Sequence, residues 1–119
     1  MTGLQIYNMA SAMLYEDTGT NIKEERYSVH FLNRLIAEAY PVEQNMREAE
    51  GSELLTEIPW VDTIEQEIPY HEQMLRTAFV YGLAMHYWQE ELDTYQAETC
   101  KAEYLAALND CRQGVWVSI

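Results

Sequence analysis

The sequence predicts an all-α fold: a small antiparallel bundle of about four helices, with a long irregular connection in the middle and an extended C-terminal tail. Three observations predict it. Apolar residues recur at three- and four-residue spacing in four separate segments. Acidic, Gly and Pro residues punctuate the gaps between them. Strict alternation, the mark of a half-buried strand, is not sustained anywhere. The 119 residues, 48% hydrophobic and 23% charged, amount to one globular domain, placed at 1–114, with residues 115–119 as a tail. A chain of this size buries roughly two thirds of its unfolded surface, so it needs no disulfide or metal to fold.

The first helix is placed at about 4–16, on Leu4, Tyr7, Ala10, Met13 and Leu14, with Asp17, Thr18 and Gly19 ending it. The second is placed at 22–40. Asn21 and Glu24 have capping-box spacing, and Val29, Leu32, Leu35, Ile36 and Ala39 give its stripe. Pro41 is expected to stop or kink it. A short helical piece over 42–50, closed by Gly51, is plausible. Between Pro59 and Pro69, Trp60, Asp62, Ile64, Gln66 and Ile68 alternate imperfectly, which suits an edge-type strand or an extended arm. The third helix, 70–92, is the most apolar. Met74, Ala78, Tyr81, Met85, Trp88 and Leu92 line one face, and Leu75, Phe79, Leu83 and Tyr87 an adjacent one. So wide an apolar arc belongs at the centre of a domain or under a partner. Gly82 in its middle points to the close approach of another backbone. The fourth helix, 94–112, opens on the Asp93–Gln96 capping pair, carries Ala97, Cys100, Tyr104, Ala107, Leu108 and Cys111, and ends before Gly114.

Charge narrows the function. Twenty acids face seven bases, for a net charge of −13. From Glu43 to Glu72 there are nine acids and one base, Arg47. Phosphate backbones need clustered Lys and Arg, so direct nucleic-acid binding is disfavoured, as is attraction to an anionic membrane. The acidic middle suits either a basic partner or simple solvation. Cys100 and Cys111, roughly 16 Å apart on one helix, are expected to be free thiols in a reducing compartment. The N-terminal segment lacks the basic-then-apolar order of a secretion signal, and the apolar run 78–88 is too short to span a membrane. The reading is a cytoplasmic product.

No catalytic constellation is legible. There is no G-x-S-x-G, no Gly-rich phosphate loop, no CxxC pair and no Glu-x-x-His. His86 and Glu90, four apart, read as a satisfied core histidine or a surface pair rather than a metal site; His30 and His71 lack ligand spacing. No cofactor is expected. Binding features remain: the acidic connection with Trp60 and Ile64, and the tail with Val115, Trp116, Val117 and Ile119. A short Val-rich terminal strand can add to a partner's sheet edge, with Trp116 as anchor, or fold back over the third and fourth helices.

Two runs carry a family resemblance: KEERYSVHFLNRLIAEAY, and IPYHEQMLRTAFVYGLAMHYWQEELDTYQAETCKAEYLAALNDC. A proline enters a long helix at Pro69 and Tyr70. An apolar centre follows at Tyr81, Gly82, Leu83 and Ala84, then an acidic turn from Glu90 to Asp93, then a last helix from Tyr95 to Cys111. From about Gln5 to Arg112 the chain resembles the head–tail connector, or adaptor, proteins of tailed bacteriophages. The resemblance implies a homo-oligomeric ring, typically twelvefold, in the virion neck, assembled in the host cytoplasm. The portal would lie on one side and the next neck or tail-completion protein on the other. DNA would pass through without specific binding. It implies further that 51–69 is a protruding loop and 115–119 a docking tail. The alternative is a small acidic helical adaptor or regulator that binds a single protein partner.

Overall fold

The structure, a computed structural model, describes residues 1–18 and 25–112, with the side chains of 15–18 and 25–27 left undescribed. It is a small all-α bundle. In order come α1 (Gly3–Thr18), α2 (Glu25–Glu50), α3 (Glu72–Met74), a π-helical turn (Leu75–Phe79), α4 (Val80–Glu90) and α5 (Thr94–Arg112). Backbone angles stay right-handed helical through Leu75, Phe79 and Val80, so α3, the π-turn and α4 form one continuous rod. Four rods therefore build the body, as the periodicity predicts. Among the described residues there is no strand, only an isolated antiparallel bridge between Thr2 and Glu67. The Asn21–Glu24 pair, Gly19, Gly114 and the whole 115–119 tail lie outside the described residues.

Helix α1 opens on a capping box that the sequence analysis missed. The Gln5 backbone N–H donates to Thr2 Oγ1, and Thr2 N–H donates to Gln5 Oε1 at 2.8 Å. Its buried seam is Gly3, Ile6, Ala10 and Leu14, while the expected Leu4, Tyr7 and Met13 sit half-buried beside it. Gly3 is confined: a Cβ there would meet Leu32 Cδ1 at 2.8 Å and the Ile64 carbonyl at 3.0 Å.

Helix α2 neither stops nor restarts at Pro41. Proline inside a helix costs about 3 kcal/mol, chiefly a lost hydrogen bond and a clash with the preceding turn. The stripe Leu35, Ile36, Ala39, Val42 and Met46 runs past it unbroken in the core, and that burial outweighs the cost. The helix ends in a Schellman motif, in which Gly51 N–H donates to the Glu48 carbonyl and Ser52 N–H to that of Arg47. Gly51 carries the required positive φ of 76°.

The α3–α4 rod is the centre of the body, packing on α1, α2 and, most extensively, α5. This bears out its wide apolar arc. Gly82 does admit a close neighbour, but side chains rather than a backbone. A Cβ there would lie 2.6 Å from Leu35 Cδ2 and 3.1 Å from Tyr104 Cδ1. The rod ends at Glu90, two residues sooner than its stripe suggests. Leu92 N–H donates to the Gln89 carbonyl and Asp93 N–H to that of Trp88, a second Schellman motif. Leu92 occupies its left-handed position at φ 59° and is 88% exposed, so it is not part of the apolar face. Asp93 then caps α5 as expected, accepting from Gln96 N–H at 3.0 Å.

The connection over 51–69 is not a protruding arm. Val61, Ile64 and Ile68 are buried in the core, and Leu55 and Ile58 pack against it. Its last residues are strapped to the start of the chain. Gly3 and Leu4 N–H groups donate to the Gln66 and Ile64 carbonyls, and Ile68 N–H donates to that of Met1. The terminal ammonium meets Glu67 at 2.6 Å.

Candidate functional site

Two side-chain amides on α2 hold the connection in a way no simple motif announces. Asn33 Nδ2 donates to the Val61 carbonyl and Asn33 Oδ1 accepts from Val61 N–H, both at 2.9 Å. Gln44 does the same to Leu55, at 2.8 and 2.9 Å. Each amide satisfies both backbone groups of one residue, as a neighbouring strand would. Asn33 and Gln44 are eleven residues apart, about three turns, so they share one flank of α2.

Of the residues predicted to meet a partner, the structure places Trp60 and Ile64 very differently. Trp60 is 57% exposed, immediately before the clamped Val61. Ile64 is 4% exposed and faces the core beside Gly3, so it anchors the segment instead of presenting itself. Alternation misleads here because bends and turns run through 62–66, where Asp62 and Thr63 N–H groups donate to Gln66 Oε1. Val115, Trp116, Val117 and Ile119 lie outside the described residues.

The acidic middle is not uniformly solvated. Glu43 is fully buried and accepts three hydrogen bonds: from Arg47 Nε at 2.6 Å, from His71 N–H at 2.8 Å and from His71 Nδ1 at 3.0 Å. His71 Nε2 meets Glu50 on its other side. Both ring nitrogens face carboxylates, which only accept, so the ring is held as an imidazolium. Burial opposes that charge, but Glu43 and then Glu50 outweigh it and raise the His71 pKa. Arg47 also donates to the Glu53 and Pro69 carbonyls. Two acids and two bases thus close on each other and tie the end of α2 to both ends of the connection. Nearby, Tyr70 O–H donates to the Ile36 carbonyl at 2.6 Å. Burial, then Glu43, raises the Tyr70 pKa, so the phenol stays protonated.

The opposite flank of α2 carries a groove of about 390 Å³ between α2, α4 and α5. His86 and Met85 lie along it from α4, Tyr104, Leu105 and Leu108 from α5, and Glu38 from α2. Arg34 and Lys101 add two exposed cations that enter no ion pair among the described residues. Glu38 accepts from Tyr104 O–H at 2.7 Å. Burial, followed by that bond to Glu38, raises the Tyr104 pKa. His86 stacks on Phe31 with ring centroids 4.8 Å apart and planes within 9°. It is 3% exposed, yet its Nε2 has no hydrogen-bond partner. Burial first, and Arg34 next, lower the His86 pKa, and the Gln89 amide beside the ring opposes this without reversing it. The ring is therefore neutral near pH 7. The histidine is in the core, as the sequence suggested, but it is not satisfied there.

Other groups are quiet. Cys100 and Cys111 are buried and share no disulfide, and burial pushes the Cys111 pKa up to about 12, which makes it a poor nucleophile. Among the described residues no three His, Cys, Asp or Glu side chains gather as metal ligands, and no helix is long and apolar enough to cross a membrane. Comparison with protein-family models, with curated proteins and with solved structures yields no match.

Proposed function

We propose that the chain is a structural protein of a tailed-phage neck: a subunit of a homo-oligomeric ring between the portal and the next neck or tail-completion protein. It acts by binding its neighbours, and DNA passes through the ring without specific contact. It is assembled in the host cytoplasm and ends in the virion. One observation carries the reading. A large aromatic, Trp60, is held exposed at a fixed place on a rigid, acidic, helical body by the Asn33 clamp on Val61. A preorganised, exposed Trp is a favoured interface anchor, because little ordering entropy remains to be lost on binding. The connector-like runs around Tyr81–Ala84 and Glu90–Asp93 support the same reading. So does a net charge of −13, which suits a wall that must not retain DNA.

The test is electron microscopy of the purified protein, alone and mixed with a portal protein from the same genome. Closed rings in either sample are expected. A monomer, or a two-fold particle, in both would overturn the ring and leave the single-partner adaptor as the better reading. Residues 115–119 enter as the docking tail. Their deletion is expected to preserve the circular dichroism spectrum and abolish assembly with the portal. Loss of the fold would instead assign them to self-packing.

A further inference from the structure

A ring needs two different surfaces on each copy that fit one another. Helix α2 separates two such surfaces. The Asn33 and Gln44 flank carries the connection and Trp60, whereas Arg34 and Glu38 line the groove and Phe31 stacks on its His86. At about 100° per residue, Glu38 stands roughly 140° around the helix from Asn33. The Trp60 segment and the groove therefore lie on opposite flanks, which is the arrangement that joins copies head to tail.

Their chemistry is complementary. Trp60 is flanked by exposed acids, Glu57 and Asp62, in the segment EIPWVD. The groove offers Arg34 and Lys101, both exposed and without ion-pair partners among the described residues. In a chain of net charge −13, two copies repel unless opposite charges are brought together locally, and Arg34 and Lys101 are two charges placed to do so. In the same groove Met85 and Leu108 supply apolar lining and Leu105 is half-exposed. Beneath them His86 Nε2 lacks a partner and is shielded from water, a loss that an entering donor relieves. The indole N–H of a Trp is such a donor.

We infer that the groove formed by α2, α4 and α5 receives the Trp60 segment of a second copy, with Trp60 against the Met85 and His86 floor and Glu57 and Asp62 toward Arg34 and Lys101. This inference rests on the ring reading above and gives it a specific contact.

Sedimentation velocity of the full chain, up to about 1 mM at low salt, tests it, since contacts of this size reach millimolar affinity or better. Self-association is expected, weakening as salt rises. Trp60→Ala and the double substitution Arg34→Glu, Lys101→Glu should each weaken it about tenfold or more while leaving the circular dichroism spectrum unchanged. All three side chains are exposed or half-exposed, so the fold does not depend on them. Mixing the two variants is the sharper experiment. One retains only the groove, the other only the Trp60 segment, so together they should form a one-to-one pair and nothing larger. The inference is overturned if the chain stays monomeric throughout, or if both variants associate as strongly as the unaltered chain. Rings that still form from Trp60→Ala would also sink the contact while leaving the ring reading intact. Failure of the unaltered protein to form rings with its portal would remove both.

Discussion

His71 and His86 stand at the start and near the end of the same helical rod, and burial has opposite outcomes for them. His71 is wedged between Glu43 and Glu50, with a carboxylate at each ring nitrogen. His86 is stacked on Phe31, and its Nε2 has no hydrogen-bond partner. The first is held charged and the second neutral. The difference teaches that desolvation alone does not decide a histidine's state; what decides it is whether the protein replaces the water it removes. The His71 end is a closed polar knot that fixes the connection. The His86 end keeps one buried hydrogen-bonding atom unsatisfied.

Breaking the knot should have the largest effect. Glu43→Ala removes the acceptor for Arg47 and His71 together and should cost about 3 kcal/mol, read as a lower urea midpoint with an unchanged slope. A loss below about 1 kcal/mol would mean that Arg47 and His71 simply turn to solvent. On the other side, Gly82→Ala forces Leu35 and Tyr104 away from α4 and should cost about 2 kcal/mol by overpacking. His86→Leu should act in the opposite direction. It deletes an unsatisfied buried atom, so stability should hold or rise by up to about 1 kcal/mol, and a large loss would show that Nε2 is paired after all.

Titration separates the two histidines by sign. The His71 pKa is raised above its ordinary 6.5, so its contribution is complete below that pH and is lost as pH rises through the folded value. The His86 pKa is lowered, so the folded state takes up its proton later than the unfolded one. Its contribution is complete above pH 6.5 and is lost as pH falls toward the folded value. Urea midpoints against pH, with His71→Gln subtracted from the parent, should fall with rising pH. With His86→Leu subtracted, they should fall with falling pH. Parallel slopes would break the comparison. The smallest effect is a control at the turn between α4 and α5. Leu92→Gly relieves a left-handed leucine and should add about 0.5 to 1 kcal/mol, with no pH slope attached.

The helices were legible because their signals are local. The Asp93 cap and the Gly51 stop each lie within one or two turns of chain, and the stripe of α5 repeats at the three- and four-residue spacing of a single helix. Pro41 misled because a local penalty was set against burial by residues far along the sequence, and such long-range packing has no local signature. The polar knot was hidden for the same reason. Glu43 is one glutamate among nine acids, and only the fold brings His71 to it across 28 residues. The Thr2–Gln5 capping box was readable from its spacing and went unread. Trp60 and Ile64 look alike in sequence as candidate partner contacts, yet one is exposed and the other buried, because the turns over 62–66 do not keep the two-residue period of a strand.

The amides of Asn33 and Gln44 grip main-chain atoms of Val61 and Leu55, not their side chains. Every residue type but proline brings the same N–H and C=O to such a grip. The five residues between the two clamps, Thr56 to Trp60, therefore sit on a mount that is blind to most changes in their identity. Replacing an outward residue among them alters what the surface offers without loosening how it is held. In that sense α2 works as a rack with two hooks, and the cargo hung between them can be exchanged.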